Sequence, residues 1–197
     1  MVTLLLAAPN RMFAVAVMAG MFIFEVGQSG VFTFVDQIGI QAGLDTGERG
    51  TILSATSFIG MAGAVLAAWL GTRFGRVWPV SVGLGLNIVA VVGLAVCESV
   101  FAFTALRLLW TVAYNFLVPY LMGALATLDD RGRWAVAGES LWNGGAVPGP
   151  WIAAVLVQES GMLSLALWSL VTGAICLALI TGTLRRFEAR RTIATSP

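Results

Sequence analysis

The sequence predicts an all-α integral membrane protein with six transmembrane helices and both termini cytoplasmic. Of its 197 residues, 58% are hydrophobic and 11% charged, against roughly 25% charged in a soluble domain, and mean hydropathy is +0.90. Six apolar runs are long enough to cross a hydrocarbon core, which takes about 20 helical residues. Six crossings put nine arginines on one side of the membrane and one on the other, a strong positive-inside bias. In lipid only helices or closed barrels satisfy the backbone, and these runs are too long and too poor in alternation for barrel strands. The net charge of +1, with no basic stripe, argues against nucleic acid as a partner.

The expected order is a cytoplasmic N-terminal segment (1–11), a six-helix bundle (12–184) and a basic cytoplasmic tail (185–197). The opening MVTLLLAAPNR has no basic n-region and too short an apolar core for a signal peptide. The first run, Met12–Val35, contains Glu25, Gln28 and Ser29; with Phe32 they fall at i, i+3, i+4 and i+7, one face of a helix. Gly27-Gln28-Ser29-Gly30 has the Gly-x-Ser-Gly form of an intramembrane serine protease, but the chain contains no histidine to serve as general base. No enzyme activity is expected, nor a cofactor, nor a histidine-containing metal site.

The loop Asp36–Arg49 faces outward and leads to the second run, Gly50–Gly71. The third, Val77–Cys97, carries only Ser81 and Asn87 as polar breaks and is bland enough to face lipid. The fourth, Phe101–Leu128, repeats the pattern of the first: Arg107, Trp110, Thr111, Tyr114 and Asn115 stand at i, i+3, i+4, i+7 and i+8. The fifth, Ala135–Gln158, opens with Glu139 and Asn143 on one face near the cytoplasmic side, where Glu139 reaches the headgroups, pairs with Arg133 or serves a site, and Asn143 stands one turn further on. It continues through Gly145, Pro148, Gly149 and Pro150: small residues permit close helix approach, and the prolines remove backbone bonds. The sixth, Met162–Leu184, is apolar apart from a few Ser and Thr and Cys176, and can also face lipid. Cys97 and Cys176 show neither disulfide nor zinc spacing and read as small buried hydrophobes. The tail RRFEARRTIATSP is basic and polar, with its last residues expected to be disordered.

This order places Arg11, Arg73, Arg76, Arg131, Arg133, Arg185, Arg186, Arg190 and Arg191 inside, and Arg49 alone outside. The stripes of the first and fourth runs point to a shared, water-accessible interior, because intramembrane ionisable residues usually face a bundle interior or cavity and usually pair. Glu25 lies ten residues from the outer end of its run, ~15 Å, and Arg107 six from the outer end of its own, ~9 Å. Since a guanidinium can snorkel along its stem, a Glu25–Arg107 contact, direct or through Gln28, is expected. It reads either as a structural ion pair locking two helices or as part of a cavity site. Trp110 and Tyr114 read as packing or as ligand contacts.

Three short motifs sit in matching places. Between the second and third runs, AAWLGTRFGRVWPV resembles the loop signature of the major facilitator superfamily at Arg73, Gly75 and Arg76, with Thr72 where that signature has aspartate and Ala68 where it has its leading glycine. ALRLLWTVAYNF resembles the family's fourth helix through Arg107. GGAVPGPWIAA resembles the Gly-x-x-x-Gly-Pro motif of the fifth helix, associated with exporters, at Gly145, Gly149 and Pro150. The resemblance covers nearly the whole chain and implies one six-helix half of the family's twelve-helix fold, closest to the C-terminal half. Its halves are parallel repeats about an axis along the membrane normal.

The resemblance implies secondary transport of a small organic solute by alternating access, with proton-coupled antiport as the expected mode, in the plasma membrane (the inner membrane of a bacterium). It makes the Arg73–Gly75–Arg76 loop a gating element and Gly145, Pro148, Gly149 and Pro150 a helix-bend motif. It also implies a second six-helix half, which can be a missing N-terminal half, a separate chain or a second copy. Glu25 then serves as proton or cation acceptor, Phe32, Trp110 and Tyr114 as cavity walls, and Gln28, Thr111 and Asn115 as hydrogen-bonding groups near Arg107. The rival reading is a non-transporting membrane protein, a truncated remnant or a helical partner of another membrane chain.

Overall fold

The computed structural model describes residues 10–128 and 131–195. The described chain is all-α, in the order α1 (Arg11–Gln41), α2 (Thr46–Gly60), α3 (Ala62–Leu70), α4 (Val77–Ala95), α5 (Val100–Ala126), α6 (Arg133–Gly145), α7 (Pro148–Ser160) and α8 (Leu163–Thr195). Five stretches are long and apolar enough to cross a membrane: α1, α2 with α3, α4, α5, and α8 as far as Ala189. The signal-peptide question and most of the N-terminal segment fall on residues 1–9, and the disorder expected at the chain end partly on 196–197, outside the described residues.

Three expectations need correction. The fifth run is not one continuous helix. Glu139 and Asn143 dilute its first half, and at Ala146–Val147 the backbone tightens, with the N–H of Ala146 bonding Asn143 O at 3.2 Å and that of Val147 bonding Gly144 O at 3.3 Å. Pro148 and Pro150 have no N–H with which to continue the ladder, so α6 ends and α7 starts with proline in its first turn. The outer loop is also shorter than expected. α1 runs on to Gln41, and Asp45 caps α2 in a reciprocal capping box with Glu48. The side chain of Arg49, the lone outer arginine, bonds Asp36 at 2.8 Å and Leu44 O at 3.0 Å, so it closes this turn. Finally, the helix of the sixth run does not stop at Leu184: α8 continues through the basic tail to Thr195. Its 33 residues span ~50 Å, well beyond a core of ~30 Å.

The helices pack as a ring. α1 lies against α8, α6 and α7; α5 lies against α4, α2 and α3; α4 and α8 close the ring at the back. Three apolar clusters fill it, the smallest of them Ala95, Ala153, Leu165 and Ala166; the other two flank the middle. One joins Val17, Met21, Phe24, Leu84, Leu117, Leu121 and Ile180, and the other joins Val31, Ile38, Val91, Leu94 and Phe103. Between them lies a polar layer made by Glu25, Gln28 and Asn87, each with at most 9% exposure. Glu25 is fourteen residues into α1, ~21 Å along its axis and close to its middle. The layer is therefore a mid-bundle feature, away from either end.

Candidate functional site

The residues at issue stand on two antiparallel helices, and their register explains which of them meet. Tyr114 donates its hydroxyl to Glu25 Oε2 at 3.0 Å. The Trp110 indole N–H donates to Gln28 Oε1. One turn further along, the Arg107 guanidinium lies 5.9 Å from the Phe32 ring centroid and 4.8 Å from that of Trp110. As α1 advances from 25 to 28 to 32, α5 retreats from 114 to 110 to 107, as antiparallel helices with this period must.

That register overturns the expected Glu25–Arg107 contact. No ion pair joins the two, and Gln28 does not bridge them, because its side chain is engaged by Trp110 and donates from Nε2 to Asn87 Oδ1 at 2.9 Å. Arg107 is seven residues from Tyr114, ~10 Å along the axis from the level of Glu25. Snorkelling carries its head away from the middle of the bundle, toward Phe32.

A cavity of about 450 Å³ opens beside these groups, lined by Glu25, Gln28, Ser29, Phe32, Thr33, Arg107, Trp110, Thr111, Tyr114, Ala146 and Pro150. Seven of the eight cavity residues expected from the sequence are in that lining; Asn115 is not. At 100° per residue Asn115 stands ~80° around the helix from Arg107, and its amide turns back to Thr111 O at 2.8 Å. No residue of α4 or α8 lines the cavity, although Asn87 of α4 supports it from behind. The cavity is open on one side, where Phe32 is 58% exposed.

Three supporting groups went unread in the sequence. Trp142 of α6 donates to Tyr114 Oη at 3.0 Å and so fixes the phenol that meets Glu25. Asn87 reads in the sequence as one of two polar breaks, with Ser81, in a bland run. Ser57, in the second run, accepts a long 3.4 Å hydrogen bond from Arg107 Nη2. None has a local signal, since each matters through the helix opposite. Glu139 and Asn143 lie outside the cavity, exposed, with Asn143 Nδ2 donating to Glu139 Oε1 at 3.1 Å.

The expected helix-bend motif sits where α6 and α7 meet α1. A Cβ on Gly145 would lie 2.7 Å from Phe22 O, and one on Gly149 would overlap Val26 O and Ser29 Oγ and reach 3.0 Å from Gly30 N. These glycines let two backbones touch beside Glu25 and Pro150. Gly149→Ala should therefore destabilise the protein by about 1–3 kcal/mol, the usual range for overpacking, read as a lower unfolding midpoint in nanodiscs. An unchanged midpoint would show that α7 moves aside freely.

The loop Arg73–Arg76 is tied to the bundle at one end. The Arg76 backbone N–H donates to Glu188 Oε1 at 3.2 Å, its Nη1 to Thr127 Oγ1 at 3.4 Å, and Tyr120 donates to Gly71 O at 2.8 Å. Arg73 and Gly75 are exposed. The loop thus connects the end of α3 to α5 and α8.

Among the described residues no group of three or more His, Cys, Asp or Glu could hold a metal ion. A scan of the chain against protein-family models finds no match, and a search among curated proteins finds none.

Proposed function

We propose that this chain is one six-helix half of a secondary transporter of the major facilitator type, moving a small organic solute by alternating access in exchange for protons. The observation that carries the reading is the mid-bundle cavity, which holds both a carboxylate and an arginine that do not neutralise each other. Its volume of about 450 Å³ falls within the ~300–1,000 Å³ of small-molecule sites. Ionisable groups at such depth are costly in lipid and ordinarily mark solute or proton pathways.

A second bundle would complete the site by closing its open side. The second and fifth runs also carry large exposed side chains on the faces turned away from α5 and α1: Phe58, Met61, Val65 and Trp69 follow one helical face, and Val147 and Trp151 do so on the other run. The plasma membrane is the proposed location. The hydrogen bonds of Gln28 with Trp110 and Asn87, and of Glu25 with Tyr114, also fit the rival reading, a locked and non-transporting bundle.

Cysteine accessibility separates the two readings without knowledge of the solute. With Cys97 and Cys176 replaced by alanine, Phe32→Cys in sealed vesicles of defined orientation is treated with a membrane-impermeant thiol reagent from either side. Alternating access predicts labelling from both sides, each at a measurable rate. Labelling from one side only, or from neither, would sink the transporter reading and favour the lock.

A further inference from the structure

We propose that the cavity selects an amphipathic organic monoanion, with its carboxylate or sulfonate head at Arg107 and a planar apolar body against Phe32 and Trp110. The inference rests on the cavity being a solute site, as proposed above, and names the class of solute.

Arg107 carries the argument. It is 3% exposed, yet no acidic side chain among the described residues lies within ion-pair distance. Among the described residues its only hydrogen bond to another element is the 3.4 Å contact with Ser57, and its Nε, itself buried, has no partner. A guanidinium presents five donors in a planar fork suited to a carboxylate or similar oxyanion. Leaving most of them unmet in a buried site is costly. The two rings beside it attract the cation, at 5.9 and 4.8 Å from their centroids, but offer no oxygen to its remaining N–H groups. An anion in the cavity supplies what is absent.

The rest of the lining sets the other features. Phe32 and Trp110 give apolar walls next to the arginine, and Ala146 and Pro150 add apolar lining elsewhere in the same cavity, which suits a ring or flat chain attached to the head group. Glu25 lines the same cavity about two turns deeper. When ionised, its carboxylate disfavours a second negative charge on the solute, which favours a monoanion over a dianion. Thr111 makes its hydrogen bond to Thr56 O at 3.0 Å, so its hydroxyl is already committed and adds little recognition. The lining therefore offers one cationic fork, one apolar slot and one deeper carboxyl.

Three probes of nearly equal size test this: benzenesulfonate, always anionic; benzenesulfonamide, its neutral counterpart near pH 7; and benzyltrimethylammonium, always cationic. The chain in nanodiscs is titrated with each at constant ionic strength, and the rise in unfolding temperature is read, since a ligand that binds the folded state stabilises it by mass action. Benzenesulfonate should stabilise the wild type with an apparent affinity at least about tenfold better than either other probe. Arg107→Gln should remove that preference, and Arg107→Lys should keep the charge preference with weaker affinity, because an ammonium lacks the fork. If Arg107→Gln does not fold, the order of the three probes on the wild type and Arg107→Lys decides. Equal stabilisation by all three, or a preference for the cation, would overturn the inference.

The same probes in proteoliposomes keep this result separate from transport itself. Arg107-dependent binding of benzenesulfonate without flux supports the anion site and counts against the transporter. Proton movement driven by benzyltrimethylammonium and indifferent to Arg107→Gln supports the transporter and overturns the anion site.

Discussion

Glu25→Gln should abolish solute-coupled proton movement while leaving the fold intact. In proteoliposomes with a trapped pH-sensitive dye, solute-driven proton flux should fall to that of protein-free vesicles. The unfolding midpoint should correspond to a change within about 1 kcal/mol, because a neutral hydrogen bond contributes only ~0.5–1.5 kcal/mol net and the substitution retains an acceptor. Glutamine has the length and shape of glutamate, and its carbonyl can still accept the Tyr114 hydroxyl that lies 3.0 Å from Glu25 Oε2. It fits beside Gly145, whose missing Cβ allows the α1 backbone to approach. What it lacks is a group that can take up and release a proton at this depth. Undiminished coupling would remove Glu25 from the mechanism and leave it as a structural tie to Tyr114. A large loss of stability would instead mean that the carboxylate is part of the lock.

The reason to separate these outcomes is visible in how the two polar stripes meet. Each was legible from its spacing, since residues at i, i+3, i+4 and i+7 share a helical face whatever the rest of the chain does. Their convergence on one cavity follows from helix packing, and seven of the eight residues are in its lining. The pairing across the cavity was not legible. Depth from the end of an apolar run fixes position only along the axis, and α1 extends six residues past Val35 to Gln41. With that extra length the register shifts: Tyr114 takes Glu25, Trp110 takes Gln28, and Arg107 is left beside Phe32. The same limitation hid Asn87, Trp142 and Ser57, which act through helices distant in sequence. The interruption of the fifth run was half legible. Pro148 and Pro150 announce a disturbance, and the interruption at Ala146–Val147 divides the run into two helices of 13 residues each, α6 and α7. Arg49 shows the opposite case: an exception to the charge count that becomes intelligible once it is seen closing the turn with Asp36.

The largest effect on stability is expected from Gly63→Leu, which should leave little or no monodisperse protein after extraction. Gly63 lies near the start of α3 at the contact with α5. A Cβ there would overlap Val112 O and stand 2.9 Å from Phe116 N, both backbone atoms. A side-chain neighbour can change rotamer, but a helix backbone yields only by moving the whole element. The neighbouring contact leaves no room for that movement: one turn earlier, a Cβ on Gly60 would lie 2.5 Å from Thr111 Cβ. Thr111 also ties α5 to Thr56 O at 3.0 Å. Overpacking of a core ordinarily costs about 1–3 kcal/mol, and a leucine wedged between two backbones belongs at or above the upper end. Between transmembrane helices this matters more than propensity, because lipid removes the hydrophobic drive and close packing of small residues holds the pair together. The second run is the least buried of the five membrane-spanning candidates, so it has few other contacts to retain it. Gly85→Leu is the matched control, since nothing lies within 4 Å of a Cβ built there; the same side chain should be tolerated on α4. Size-exclusion profiles and unfolding midpoints of the two variants in one detergent decide the matter. Equal tolerance would show that α3 does not hold this contact with α5, and the cavity wall formed by Arg107 and Thr111 would need another support.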